Sequence, residues 1–179
     1  MKKQFITLIL ILSLTLITTG CNSNNNASTK TTNKNNDKII EKKESNPKQM
    51  TDNEIIDELN NINNDITDLW NNVFCEVKWY AEEGTSSTGD TLDIDFVVTN
   101  MDKYYNKIKN DKNFIDKLND DYSDIKSAYL KMFDKATVIY NNIKAETPKA
   151  NTELSYNSEI ELFNQYQSYL WKTITELES

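Results

Sequence analysis

Residues 51–84, TDNEIIDELNNINNDITDLWNNVFCEVKWYAEEG, carry the pattern that decides the fold. Thr51 with Glu54 three places on matches a capping box, and Met50 stands where a hydrophobic staple reaches Ile55. Apolar side chains then recur at Ile55, Leu59, Ile62, Ile66, Leu69, Val73, Val77 and Tyr80. Steps of four and three keep such a stripe on one face of a helix for about thirty residues. Gly84 supplies the stop, because glycine enters the left-handed conformation that ends a helix at little steric cost.

The same reading extends to the C-terminus. Thr85 to Gly89 is a polar loop, and Asp90 with Asp93 reads as the next cap. A second stripe runs Ile94, Val98, Met101, Tyr105 and Ile108, then falters from Lys109 to Asn113. A third runs Ile115, Leu118, Tyr122, Ile125, Tyr129, Met132, Ala136, Ile139 and Ile143. It ends before Thr147-Pro148, since proline disfavours helix in the residue preceding it. A fourth begins at Asn157 or Ser158, where Ser158 and Glu161 make another capping box, and carries Ile160, Phe163, Gln167, Leu170, Ile174 and Leu177. Gln167 is its one polar lapse. Each stripe needs a cover and its nearest neighbours are the adjoining segments, so the expected fold is all-α, an antiparallel helical bundle of about four helices over residues 51–179. The register is nearly continuous across Lys112, which leaves a single helix over 91–146 open; the gap from Lys109 to Asn113 favours a break.

The whole chain has 179 residues, enough for one compact domain with accessory sequence. It has 20 Lys, no Arg, no His and 28 acidic residues, net −8. The missing histidine excludes imidazole catalysis and His-ligated metal within one copy. Three Gly and two Pro argue against a Gly-rich phosphate cradle or a dinucleotide loop. No cofactor and no metal are expected.

Charge is divided unevenly. Residues 22–50 hold six Lys and three acids, net +3, whereas residues 51–179 hold twelve Lys and twenty-five acids, net −13. With few apolar residues the first of these segments builds no core, and residues 21–50 are expected to form a disordered linker. A domain at −13 repels phosphate, so nucleic acid is not an expected partner.

The N-terminus has its own pattern: Lys2 and Lys3, an apolar run from Phe5 to about Ile17, then Thr18-Thr19-Gly20 before Cys21. A helix of that apolar length rises only ~20 Å against a hydrocarbon core of about 30 Å, which reads as a cleaved signal over residues 1–20 and not a retained span. Small residues directly before Cys21 resemble the lipobox of bacterial lipoproteins, with Thr18 where that family places Leu. The resemblance covers residues 1–21 and implies that Cys21 is cleaved to become the N-terminus, bears a diacylglyceryl thioether, and carries acyl chains such as palmitate. Two or more chains hold a protein on a bilayer, at about 0.8 kcal/mol per buried methylene. Location at the extracytoplasmic face of the cell membrane follows from the resemblance. Cysteine arithmetic then leaves Cys75 as a small, part-buried thiol and no internal disulfide.

Catalytic patterns are weak. The acids Glu82, Glu83, Asp90, Asp93 and Asp95 lack the spacing and turn glycine of a calcium loop, and capping accounts for Asp90 and Asp93. Among twenty-five acids no carboxylate pair is singled out for glycoside hydrolysis. The candidate binding face is Trp70, Phe74, Trp79, Tyr80 and Trp171: aromatic residues dominate binding hot spots, and an acidic rim suits a basic protein or cationic peptide. The expected function is a non-catalytic, membrane-anchored binding lipoprotein, in layout like immunity and phage superinfection-exclusion lipoproteins. A structural envelope lipoprotein without a discrete ligand is the second reading and a cell-wall hydrolase the third.

Overall fold

The computed structural model describes residues 50–178. Residues 1–49, on which the expected signal peptide, the expected lipidation of Cys21 and most of the expected linker fall, lie outside the described residues.

Four rods pack into an all-helical bundle. The first is α1 (Asp52–Leu69), a π turn (Trp70–Phe74) and α2 (Cys75–Glu83) in one unbroken run. It is followed by α3 (Ile94–Lys117), a short 3₁₀ turn (Asp120–Tyr122), α4 (Ser123–Ala145) and α5 (Asn157–Leu177). The first rod packs on α3 and α5, α3 on α4, and α4 most extensively on α5, so the four close around one core.

Local chemistry sets the ends of the first rod as expected. The Thr51 hydroxyl accepts from the Glu54 amide at 3.3 Å and the Glu54 carboxylate accepts from the Thr51 amide at 2.8 Å. That reciprocal pair satisfies two donors that a helix start otherwise leaves open. Met50 is half-buried against the core, as a staple requires. Gly84 closes the rod in the left-handed region at φ +75°.

The π turn explains a feature of the stripe. Leu69, Val73, Val77 and Ala81 are all fully buried, a 4-4-4 run. In a straight α-helix each step of four overshoots a turn by about 40°. A wider turn at Trp70–Phe74 absorbs the overshoot and returns Val77 and Ala81 to the core face.

Two boundaries differ from the expectation. The break between the second and third segments falls at Leu118–Asn119 and not at Lys109–Asn113, so Ile115 belongs to α3. The stretch 109–113 holds no helix breaker, and its missing apolar position is filled by Asp111, buried in the bundle. The real break has local causes: Leu118 turns extended at ψ 144°, and the Asn119 side chain caps the following turn through the Asp121 amide at 3.1 Å. The inward row of α3 also starts at Val97, with Ile94 and Val98 only half-buried. At the other end of the chain Ser158 does not cap α5: helix geometry starts at Asn157, behind Tyr156, and the Ser158 hydroxyl donates to Glu159 instead.

Candidate functional site

Pro148 ends α4 and the chain crosses to α5 over residues 146–156 with a built-in fold of its own. The Glu146 amide still bonds to the Asn142 carbonyl at 3.0 Å, and Lys149 pairs with Glu146 at 2.8 Å. Asn151 takes φ +56°, a left-handed turn that asparagine tolerates better than most residues. Thr152 then holds two contacts, its hydroxyl to the Lys149 carbonyl at 2.6 Å and its amide to the Ala81 carbonyl at 2.8 Å.

This connection walls a cavity of about 370 Å³ whose lining includes the apolar Ala145, Pro148 and Leu154 and the polar Glu146, Glu153 and Tyr156. The volume lies near the lower end of the range used for small ligands. Tyr156 is 6% exposed, and its hydroxyl is buried with no hydrogen-bond partner among the described residues. Burial first, and the Glu146 carboxylate second, push its pKa up to about 12. The hydroxyl is a neutral donor at physiological pH.

The aromatic residues of the expected binding face differ in exposure. Phe74 is fully buried in the core, which removes it from any surface. It meets Phe163 edge to face at 5.1 Å, and Trp70 stacks on the same ring at 6.0 Å. These three hold the π turn against α5. Tyr80 is half-buried, Trp79 is 37% exposed, and Trp171 is 57% exposed. Tyr169 is exposed as well, but residues two apart on a helix point about 200° from each other, so Tyr169 and Trp171 flank the buried Leu170 on opposite sides.

Other polar groups serve the frame. Tyr105 and Tyr140 stack at 4.0 Å, the Tyr105 hydroxyl contacts the Thr137 hydroxyl at 2.9 Å, and Tyr140 donates to Asp102 at 2.9 Å. Lys144 pairs with the same carboxylate at 2.8 Å. In the acidic loop, Asp93 caps α3 through the Phe96 amide at 3.0 Å, while Asp90 accepts from Thr88 within the loop. Among the described residues no cluster of three metal-ligating side chains occurs.

Cys75 corrects the cysteine expectation. It is 1% exposed and disulfide-bonded, and its partner falls outside the described residues. Cys21 is the only other cysteine of the chain.

Periodicity reasoning missed Tyr156 and its cavity, because the connection carries no stripe. The only signals were the Pro148 and Asn151 breakers and an aromatic residue just before a helix start. No family model, curated protein or solved structure matches this chain. No helix among the described residues is long and apolar enough to cross a membrane.

Proposed function

We propose that the chain is a bacterial surface lipoprotein, anchored through Cys21, whose helical bundle binds a basic protein or cationic peptide at the outer face of the membrane without catalysing a reaction. The observation that carries this reading is the juxtaposition, in one chain, of a lipobox-type N-terminus, a short segment of net +3 and a bundle domain of net −13. An anionic bilayer attracts the first segment at up to ~1 kcal/mol per nearby Lys and repels the domain. The domain's own field favours encounter with positive partners.

A thioether on Cys21 excludes that sulfur atom from any disulfide. The anchored reading assigns that sulfur to the thioether. Growth with labelled palmitate tests it: label incorporated into the wild-type protein and absent from Cys21→Ala, with the variant released from the membrane fraction, supports the anchor. A wild-type protein that takes up no label, and whose mass rises by one hydrogen per cysteine sulfur on reduction, overturns it. On cells displaying the protein, an oligolysine peptide should be captured at low salt and released at high salt, with an oligoglutamate peptide not retained.

A further inference from the structure

We propose that the cavity under the α4–α5 connection is a subsite for a single basic residue of a peptide, with the Tyr156 hydroxyl donating to the residue's backbone carbonyl, Pro148 and Leu154 covering its aliphatic stem, and Glu153 facing its cationic tip. The proposal rests on the reading of the bundle as a binder of basic partners and locates where one contact is made.

Three observations converge on this cavity. A hydroxyl that is buried without a partner carries a desolvation cost that an incoming acceptor removes. That acceptor must be neutral, because Glu146 and Glu153 on the wall disfavour an anion beside it. Glu146 is already paired with Lys149, whereas Glu153, exposed on the same wall, forms no ion pair among the described residues. Glu153 therefore supplies the available negative charge, within reach of a side chain that also packs on Pro148 and Leu154. Lysine has that form, an apolar stem with a charged tip. The cavity volume of about 370 Å³ suits a short peptide segment and not a folded partner. The hydroxyl itself is enclosed, so the carbonyl reaches it only when the connection opens at the Thr152–Ala81 bond.

The test is titration of the full-length protein in detergent with three capped dipeptides, acetyl-Leu-Lys-amide, acetyl-Leu-Gln-amide and acetyl-Leu-Glu-amide, followed by calorimetry and amide chemical shifts. The expected order of affinity is Lys, then Gln, then Glu, with shifts centred on residues 145–156. Tyr156→Phe should weaken the Lys and Gln peptides alike by about five- to tenfold, as one hydrogen bond is worth. Glu153→Gln should erase the preference for Lys over Gln and leave Gln binding intact. Failure of the Lys peptide to bind saturably, or equal affinity in wild type and Tyr156→Phe, overturns the subsite. Cells that still capture oligolysine with the Tyr156→Phe and Glu153→Gln changes combined would also overturn it while leaving the general reading standing. Saturable dipeptide binding by a protein that never reaches the membrane would leave the subsite and remove the anchored reading.

Discussion

The Thr152 amide donates to the Ala81 carbonyl at 2.8 Å, so the loop that walls the cavity is bonded to the last turn of the first rod. Ala81 is among the residues whose carbonyls a helix end leaves without an internal partner, and the loop satisfies it. Beside this bond, a methyl group at Gly84 would meet the Asn151 side-chain nitrogen at 3.3 Å, and Gly84 itself sits at φ +75°.

Gly84→Ala should therefore lower stability by about 1–2 kcal/mol through the left-handed backbone alone, and more if Asn151 cannot move aside. Gly89 has a similar φ of +85° with nothing within 4 Å of an added Cβ. Urea unfolding of the two variants should show the larger loss at Gly84. Equal losses would mean that the contact with Asn151 carries no energy.

Removing the orphan hydroxyl should help the unliganded protein. Tyr156→Phe keeps the ring in place and deletes a buried group that costs roughly 1–3 kcal/mol when unpaired. The expected outcome is a gain of about 1 kcal/mol in urea unfolding, an uncommon direction for a core substitution. A loss of comparable size would show that the hydroxyl has a partner, for example an ordered water.

Helix caps separate real from apparent signals. Thr51→Ala should cost about 1 kcal/mol, since it removes the side chain that accepts from the Glu54 amide. Ser158→Ala, at the other capping-box motif, should change stability by no more than a few tenths, because that hydroxyl bonds only Glu159 among the described residues. Thermal melts of both variants check the contrast.

Stability should be flat near neutrality and fall on both sides. The chain has no histidine, so no side chain of ordinary pKa titrates there. On the acid side, hydrogen bonds from Lys144 and then Tyr140 hold Asp102 below the usual carboxylate range. A lowered folded pKa gives stability that is complete above about 3.9 and is lost as pH falls through the folded value. On the alkaline side, the bond to Asp65 raises Lys107, and burial raises Tyr129 and Tyr156. Raised groups stabilise fully below their unfolded values, about 10 for tyrosine and 10.4 for lysine, and lose that contribution as pH climbs through the folded ones. Tyrosinate absorbance should thus appear in two stages, with Tyr129 and Tyr156 ionising only as the bundle opens. Asp102→Asn should flatten the acid limb.

The bundle was legible in the sequence because each rod has an apolar face that repeats at helical spacing. Of the eight positions named for the first stripe, seven are buried and Tyr80 is half-buried. What escaped was decided by contacts between distant residues. Nothing local to Asp111 announces that it can sit inside α3, near Tyr129, whose hydroxyl donates to the Ile108 carbonyl. Phe74 reads as part of an aromatic surface until Phe163 arrives from the other end of the chain. The cavity could not be read from periodicity, because its walls are loop residues placed by Pro148, Asn151 and the Thr152–Ala81 bond.

The wide turn at Trp70–Phe74 sets the angular phase between the two halves of the first rod. Asn71 and Asn72 are exposed, so one of them could be deleted without emptying the interior. The rod would then wind evenly, and the resulting 3-4-4 spacing would keep Val77 and Ala81 on the core face. Straightening the turn with every residue kept would instead carry the Ala81 carbonyl away from Thr152 and Gly84 away from Asn151. The surplus residue is in effect a fixed gear tooth that times one end of the molecule to the other.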